Sequence, residues 1–183
     1  MNKFLLILAI LPFCISCGNG ETTDTEASTK METSIVKDAE KSPCELVSEA
    51  TIEKILSIPL DTPTEVNNAM RTYPTCFYTW ETVQFSETKK IGNKDMSIDF
   101  PTEVTIVLVK NATKSMFQTS VKVYKDRQTQ NDVGEMAVWG DQMSQLSFLT
   151  KGYMIHLYVK MSSDATENKN KALKISEEII ENL

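Results

Sequence analysis

The chain is poor in the residues that build common catalytic and nucleic-acid sites. It has a single histidine, six glycines and six prolines in 183 residues. No glycine-rich phosphate loop and no paired-carboxylate motif occurs, and a lone histidine does not make a zinc site or a Ser-His-Asp arrangement. Positive charge is also scarce: 19 Lys and Arg stand against 25 Asp and Glu, for a net charge of −6 and a pI near 4.9. A nucleic-acid binder needs a basic face to neutralise phosphates, so that class is excluded. The same balance argues against electrostatic docking onto anionic lipid, so any membrane attachment is expected to come from something else. No cofactor and no metal is expected.

What is present starts at the N-terminus. Residues 1–17 read MNKFLLILAILPFCISC. Lys3 gives a positive start, and Phe4 to Phe13 is an apolar run interrupted only by Pro12. A membrane span takes about 20 apolar residues, so this run suits a signal segment instead. One reading is an ordinary secretory signal cleaved after Ser16. The other rests on Ile15-Ser16-Cys17, which resembles the bacterial lipoprotein signal, although Cys14 stands where leucine is usual. Cysteine counting favours the second. Of Cys14, Cys17, Cys44 and Cys76, cleavage removes the first and lipidation occupies the second. That leaves an even pair in a compartment that permits disulfides, whereas plain secretion leaves an odd thiol. The resemblance implies diacylglycerol on the Cys17 sulfur and anchorage to the bilayer through its acyl chains. Gly18 rather than Asp after the cysteine favours the outer over the inner membrane.

Residues 18–43 hold six acidic residues, three lysines and no aromatic. Such a stretch buries too little to offset its ordering entropy, and it reads as an acidic tether reaching roughly 30 Å as a flexible coil. The chain therefore divides into a signal at 1–16, a lipidated cysteine and tether at 17–43, and one domain at 44–183.

Within the domain, Ser42-Pro43-Cys44-Glu45 has the cap, first-position proline and third-position glutamate of a helix start. Leu46, Val47, Ile52, Ile55 and Leu56 follow at helical spacing, with Ser48 able to cap a second turn and Pro59 ending the element. Residues 60–74, with Pro63, Asn67, Asn68 and Pro74, read as a loop. TCFYTWETVQF is an aromatic strand, Asp95 to Phe100 alternates, and Val104 to Val109 is a buried run. Asn111 is expected to cap a helix that carries Phe117, Val121 and Tyr124 and ends near Arg127. Gly134 to Trp139 reads as a short strand. Gln145–Thr150 and Tyr153–Lys160 form a hairpin around Lys151-Gly152. Asp164 starts a last helix burying Ala172, Ile175, Ile179, Ile180 and Leu183. This order predicts an α+β fold: an antiparallel sheet with helices packed on it, helices at both ends, and one disulfide. Cys44 and Cys76 lack the Cys-x-x-Cys spacing of a redox pair, so a structural staple is the expected role.

PCELVSEATIEKIL, CFYTW, VGEMAVWG, a hairpin and a terminal amphipathic helix together resemble a broad class of small bacterial lipoproteins. Their domains are similar to the PsbP-like and nuclear-import-factor sandwiches. The likeness covers residues 44–183, with Ser57-Ile58-Pro59 where relatives often carry glycine. It implies a mostly non-enzymatic module that binds an envelope protein or an apolar small ligand. A hydrolase using His156, or a purely structural envelope component, are the competing expectations.

Several local patterns carry less. His156 in YMIHLYVK suits a structural strand histidine. Asn93 to Asp99 alternates like a calcium loop, but Ile98 and Val104 occupy its glycine and glutamate places. The methionines are scattered. Of the aromatic set Phe77, Tyr78, Trp80, Trp139, Tyr153 and Tyr158, part is expected in the core. Tyr78, Trp80 and Trp139 are the candidate contact residues.

Overall fold

Ser42 does what its position suggests: its backbone N–H donates to Glu45 Oε2 at 2.7 Å, closing a short 3₁₀ turn over Pro43–Glu45. The computed structural model describes residues 41–183. The expected signal segment, Cys17 and all but the end of the expected tether lie outside the described residues. After the turn, Ser48 accepts from Thr51 N and starts helix α1 (Glu49–Leu56). Ser57, in the left-handed region at φ 65°, ends it.

Seven strands then form one sheet in which every neighbouring pair is antiparallel. They are β1 (Glu65–Met70), β2 (Pro74–Ile91), β3 (Lys94–Val109), β4 (Arg127–Gln130), β5 (Met136–Gly140), β6 (Gln145–Thr150) and β7 (Tyr153–Lys160). Their order across the sheet is β1-β2-β3-β7-β6-β5-β4. Helices α2 (Lys114–Ser120) and α3 (Ala165–Asn182) complete the fold. The antiparallel sheet, the strand-rich α+β character and the joined cysteines agree with the sequence.

Strand alternation puts two apolar sets on opposite faces of the sheet. The larger gathers Ile106 and Leu108 of β3, Ile155 and Leu157 of β7 and Phe148 of β6. Ile52 and Leu56 of α1 and Ala172, Ile175 and Ile179 of α3 belong to the same cluster. The smaller joins Phe117 of α2, Val121 and Tyr124 to Val109, Val138, Leu149 and Met154. Cys44 and Cys76 are bonded, with Cα atoms 5.1 Å apart, tying the first turn to β2.

Three local expectations are corrected. Residues 65–70 form an edge strand rather than a loop. The cap of α2 is Thr113, whose side chain accepts from Met116 N at 3.2 Å; Asn111 instead turns the chain at φ 53°. That helix ends at Ser120, passes through a 3₁₀ turn at Val121–Val123, and Arg127 opens β4. The Asn93–Asp99 alternation agrees with the strand expected there: residues 94–99 lie in β3, where Asp99 accepts from Ser86 Oγ at 2.6 Å. The hairpin turn stands as expected, with Lys151 and Gly152 at φ 48° and 77°.

Strands β2 and β3 outrun their neighbours. Strand β1 leaves β2 at the Glu65–Thr79 pair, and β7 leaves β3 at the Lys160–Glu103 pair. Beyond a bulge between Trp80 and Gln84, β2 and β3 continue from Gln84–Pro101 to Ile91–Lys94. There, among the described residues, they pair with each other alone. This two-stranded ribbon projects roughly 25 Å past the sheet at the usual rise per residue.

Candidate functional site

The three aromatics expected to offer contact are in the core: Tyr78 is 2% exposed, and Trp80 and Trp139 are fully covered. Their polar atoms explain the correction. The Tyr78 hydroxyl donates to the carbonyls of Val47 (3.0 Å) and Cys44 (3.2 Å). The Trp80 indole N–H donates to Glu53 Oε1 at 3.2 Å, and that of Trp139 donates to Asp141 Oδ1 at 2.5 Å. Each large ring thus has an internal partner, as burial requires. Tyr78 and Trp80 stack with ring centroids 6.3 Å apart. Burial pushes the Tyr78 hydroxyl up to about 12, with Glu49 adding to the effect. Cys76 gave the missed signal. It shares a strand face with Tyr78 and Trp80, and a bond to the helical Cys44 turns that face inward.

Glu53 was also missed. It is buried within α1 and accepts from Thr64 Oγ1 at 3.1 Å as well as from Trp80. It holds α1, β2 and the approach to β1 together.

On the opposite sheet face, His156 heads a hydrogen-bonded chain. Its Nδ1 is 2.6 Å from Ser147 Oγ, which is 2.6 Å from the Tyr124 hydroxyl. One proton order satisfies every buried hydroxyl: Tyr124 donates to Ser147, Ser147 donates to Nδ1, and His156 carries its proton on Nε2. Burial lowers the His156 pKa and raises that of Tyr124, although the Ser147 contact pulls the latter back. The chain resembles a nucleophile and its base only in name. Ser147 is fully buried and spends its hydroxyl on two partners, so no substrate carbonyl can reach it. Among the described residues, no three His, Cys, Asp or Glu side chains are grouped to hold a metal ion. No described helix is long and apolar enough to cross a membrane.

Two surfaces among the described residues bear on contact with another molecule. The first is the part of this sheet face beside the Phe117 cluster. Registers place Phe77, Thr105 and Tyr158 in one row and Val107 and His156 in the next. All five are half-buried. Arg71 lies over the Phe77 ring at 4.6 Å, and burial, Glu103 and Glu87 raise the Tyr158 pKa. The patch is aromatic and aliphatic with few charges, which suits an apolar partner.

The second is the ribbon. Register puts Phe85, Glu87, Lys89 and Ile91 opposite Phe100, Ile98, Met96 and Lys94 on one face. At its root Phe85 and Phe100 lie 5.9 Å apart, and Lys160 Nζ sits 4.2 Å from the Phe100 centroid. Glu87 pairs with both Lys160 and Lys89 at 3.3 Å. Its partial burial pushes its pKa up, but the hydrogen bonds and charges of those lysines outweigh this and hold it low. Toward the tip Ile91 and Met96 are 54% and 47% exposed.

No family model, curated protein or solved structure matches this chain.

Proposed function

We propose that the protein is a lipid-anchored module of the bacterial cell envelope that binds and does not catalyse. Its acyl chains are carried on Cys17, and its domain is held outside the cytoplasmic membrane by the acidic stretch 18–43. The outer membrane is the favoured host. The observation that carries this reading is the Cys44–Cys76 bond. A stable structural disulfide belongs to an oxidising, exported compartment. With those two thiols joined, Cys17 is the one cysteine left after cleavage, at the position where the lipoprotein signal requires it.

The binding role is supported by the half-exposed patch of Phe77, Val107 and Tyr158, which suits an apolar small ligand or a nonpolar patch of an envelope protein. The wholly buried Ser147 hydroxyl supports a role without hydrolysis. A bacterial host fed an alkyne-tagged fatty acid tests the anchor. The mature chain is expected to take up the tag, and Cys17→Ala is expected to abolish it and leave the uncleaved precursor. An untagged mature chain that begins at another residue would refute the reading. Native mass spectrometry of the purified protein tests the apolar ligand arm, with Tyr158→Asp expected to release any bound adduct.

A further inference from the structure

We propose that the tip of the β2–β3 ribbon is a membrane finger whose amphipathic face settles into the surface of an anionic bilayer once the chain is anchored. The face is built for this chemistry. Ile91 stands opposite Lys94, and Lys89 stands opposite Met96, so each exposed aliphatic side chain is flanked by an ammonium group. Aliphatic side chains beside snorkelling lysines are the pattern of segments that lie in the headgroup region. Among the described residues, Glu87 is the one acid that register places on this face, and it is already matched by two lysines at 3.3 Å. The face is thus net positive in a chain of net charge −6, so the complementary surface is an anionic one. On the reverse face Lys90 lies opposite Asp95, Thr88 opposite Ser97 and Ser86 opposite Asp99, a polar set suited to water.

A second copy of the chain fits this tip less well, because like-charged lysines would meet at the contact. Two lysines and a few aliphatics hold a bilayer weakly by themselves. The proposal therefore rests on the lipid anchor, which would raise the local concentration of the tip at the membrane.

Tryptophan emission from the full chain tests it, because native Trp80 and Trp139 are fully buried and give a constant background. Ile91→Trp protein is mixed with vesicles of brominated phosphatidylcholine, with or without phosphatidylglycerol, and co-sedimentation is read from the same samples. The proposal expects a blue shift and loss of the added emission on the anionic vesicles alone. Adding Lys89→Glu and Lys94→Glu should restore the emission. Unquenched emission from protein that sediments with anionic vesicles overturns the finger and leaves the anchor standing. Quenching that survives the two charge reversals, or that is equal on both vesicle types, also overturns it. Protein that sediments with neither vesicle removes the anchor and the finger together.

Discussion

Glu53 shows how a single side chain can govern three elements. Its carboxyl group is the acceptor for the Trp80 indole and the Thr64 hydroxyl. Glu53→Leu leaves the Trp80 indole N–H buried without a partner, at a cost of about 1–3 kcal/mol, while Thr64 keeps the Thr62 carbonyl at 3.3 Å. Glu53→Gln keeps an acceptor and should lose less than half as much. Urea midpoints of the two variants check this, and a leucine variant as stable as the parent contradicts it. Helical spacing gave no hint of this residue, because a glutamate beside Ile52 reads as the solvent side of the helix.

Protonation predictions also belong at the residue scale. His156 titrates below its ordinary 6.5 in the fold because burial disfavours the imidazolium. The unfolded chain then binds the proton first, so stability is full above 6.5 and falls as pH drops below it. His156→Gln should flatten that acid limb of a pH–stability curve. Tyr78 behaves oppositely, being raised from 10.0 to about 12. Its contribution is full below pH 10.0 and is lost as pH rises toward about 12. Tyr78→Phe should remove that alkaline slope, as followed by unfolding at stepped pH. The contact role expected for Tyr78 and Trp80 failed for a physical reason: alternation divides a strand into two faces but does not say which one a helix covers.

At the scale of elements, two joints can be weighed. The Cys44–Cys76 bond spans a sequence separation of 32. Closing a loop of that size is worth about 3–4 kcal/mol in the chain-entropy model. The double Cys44→Ala, Cys76→Ala chain should unfold at correspondingly lower denaturant. Gly134 is the other joint. It sits at φ 55°, and a Cβ there would lie 2.5 Å from the Leu149 carbonyl oxygen. Gly134→Ala should cost about 2 kcal/mol or more, from left-handed strain plus displacement of β6. Calorimetric melting of the variant checks it. The sequence was legible where period and turn chemistry agree, as at Lys151-Gly152 and Asp164. It was illegible at β1, where Asn67 and Asn68 suggest a turn. An edge strand exposed on nearly every residue gives no apolar alternation to oppose that. It was also illegible at β4, whose four residues, Arg-Gln-Thr-Gln, lack any apolar member.

At the scale of the whole molecule, the sheet contains two regimes. Val104 to Val107 is flanked by β2 and β7, whereas residues 84–91 and 94–101 have, among the described residues, one neighbour each. Amide exchange should divide along this line. The ribbon should open locally and exchange fast, while β3 beyond Glu103 should exchange only through global unfolding. Equal protection along all of β3 would contradict the two regimes. The separate strand segments expected at 75–85, 95–100 and 104–109 agree with β2 and β3 as segments. Their joining through Pro101 into one long ribbon depends on pairing across the turn, which no local pattern reports.

The two ends of the domain meet. Lys41 Nζ donates to the Asn182 carbonyl at 2.6 Å, and Asn182 Nδ2 donates to the Leu46 carbonyl at 3.0 Å. A domain whose chain enters and leaves at one spot is topologically a closed loop. A short glycine-serine stitch could seal that spot and the backbone could be reopened at Gly92-Asn93, giving a circular permutant with the same sheet and its new ends at the ribbon tip.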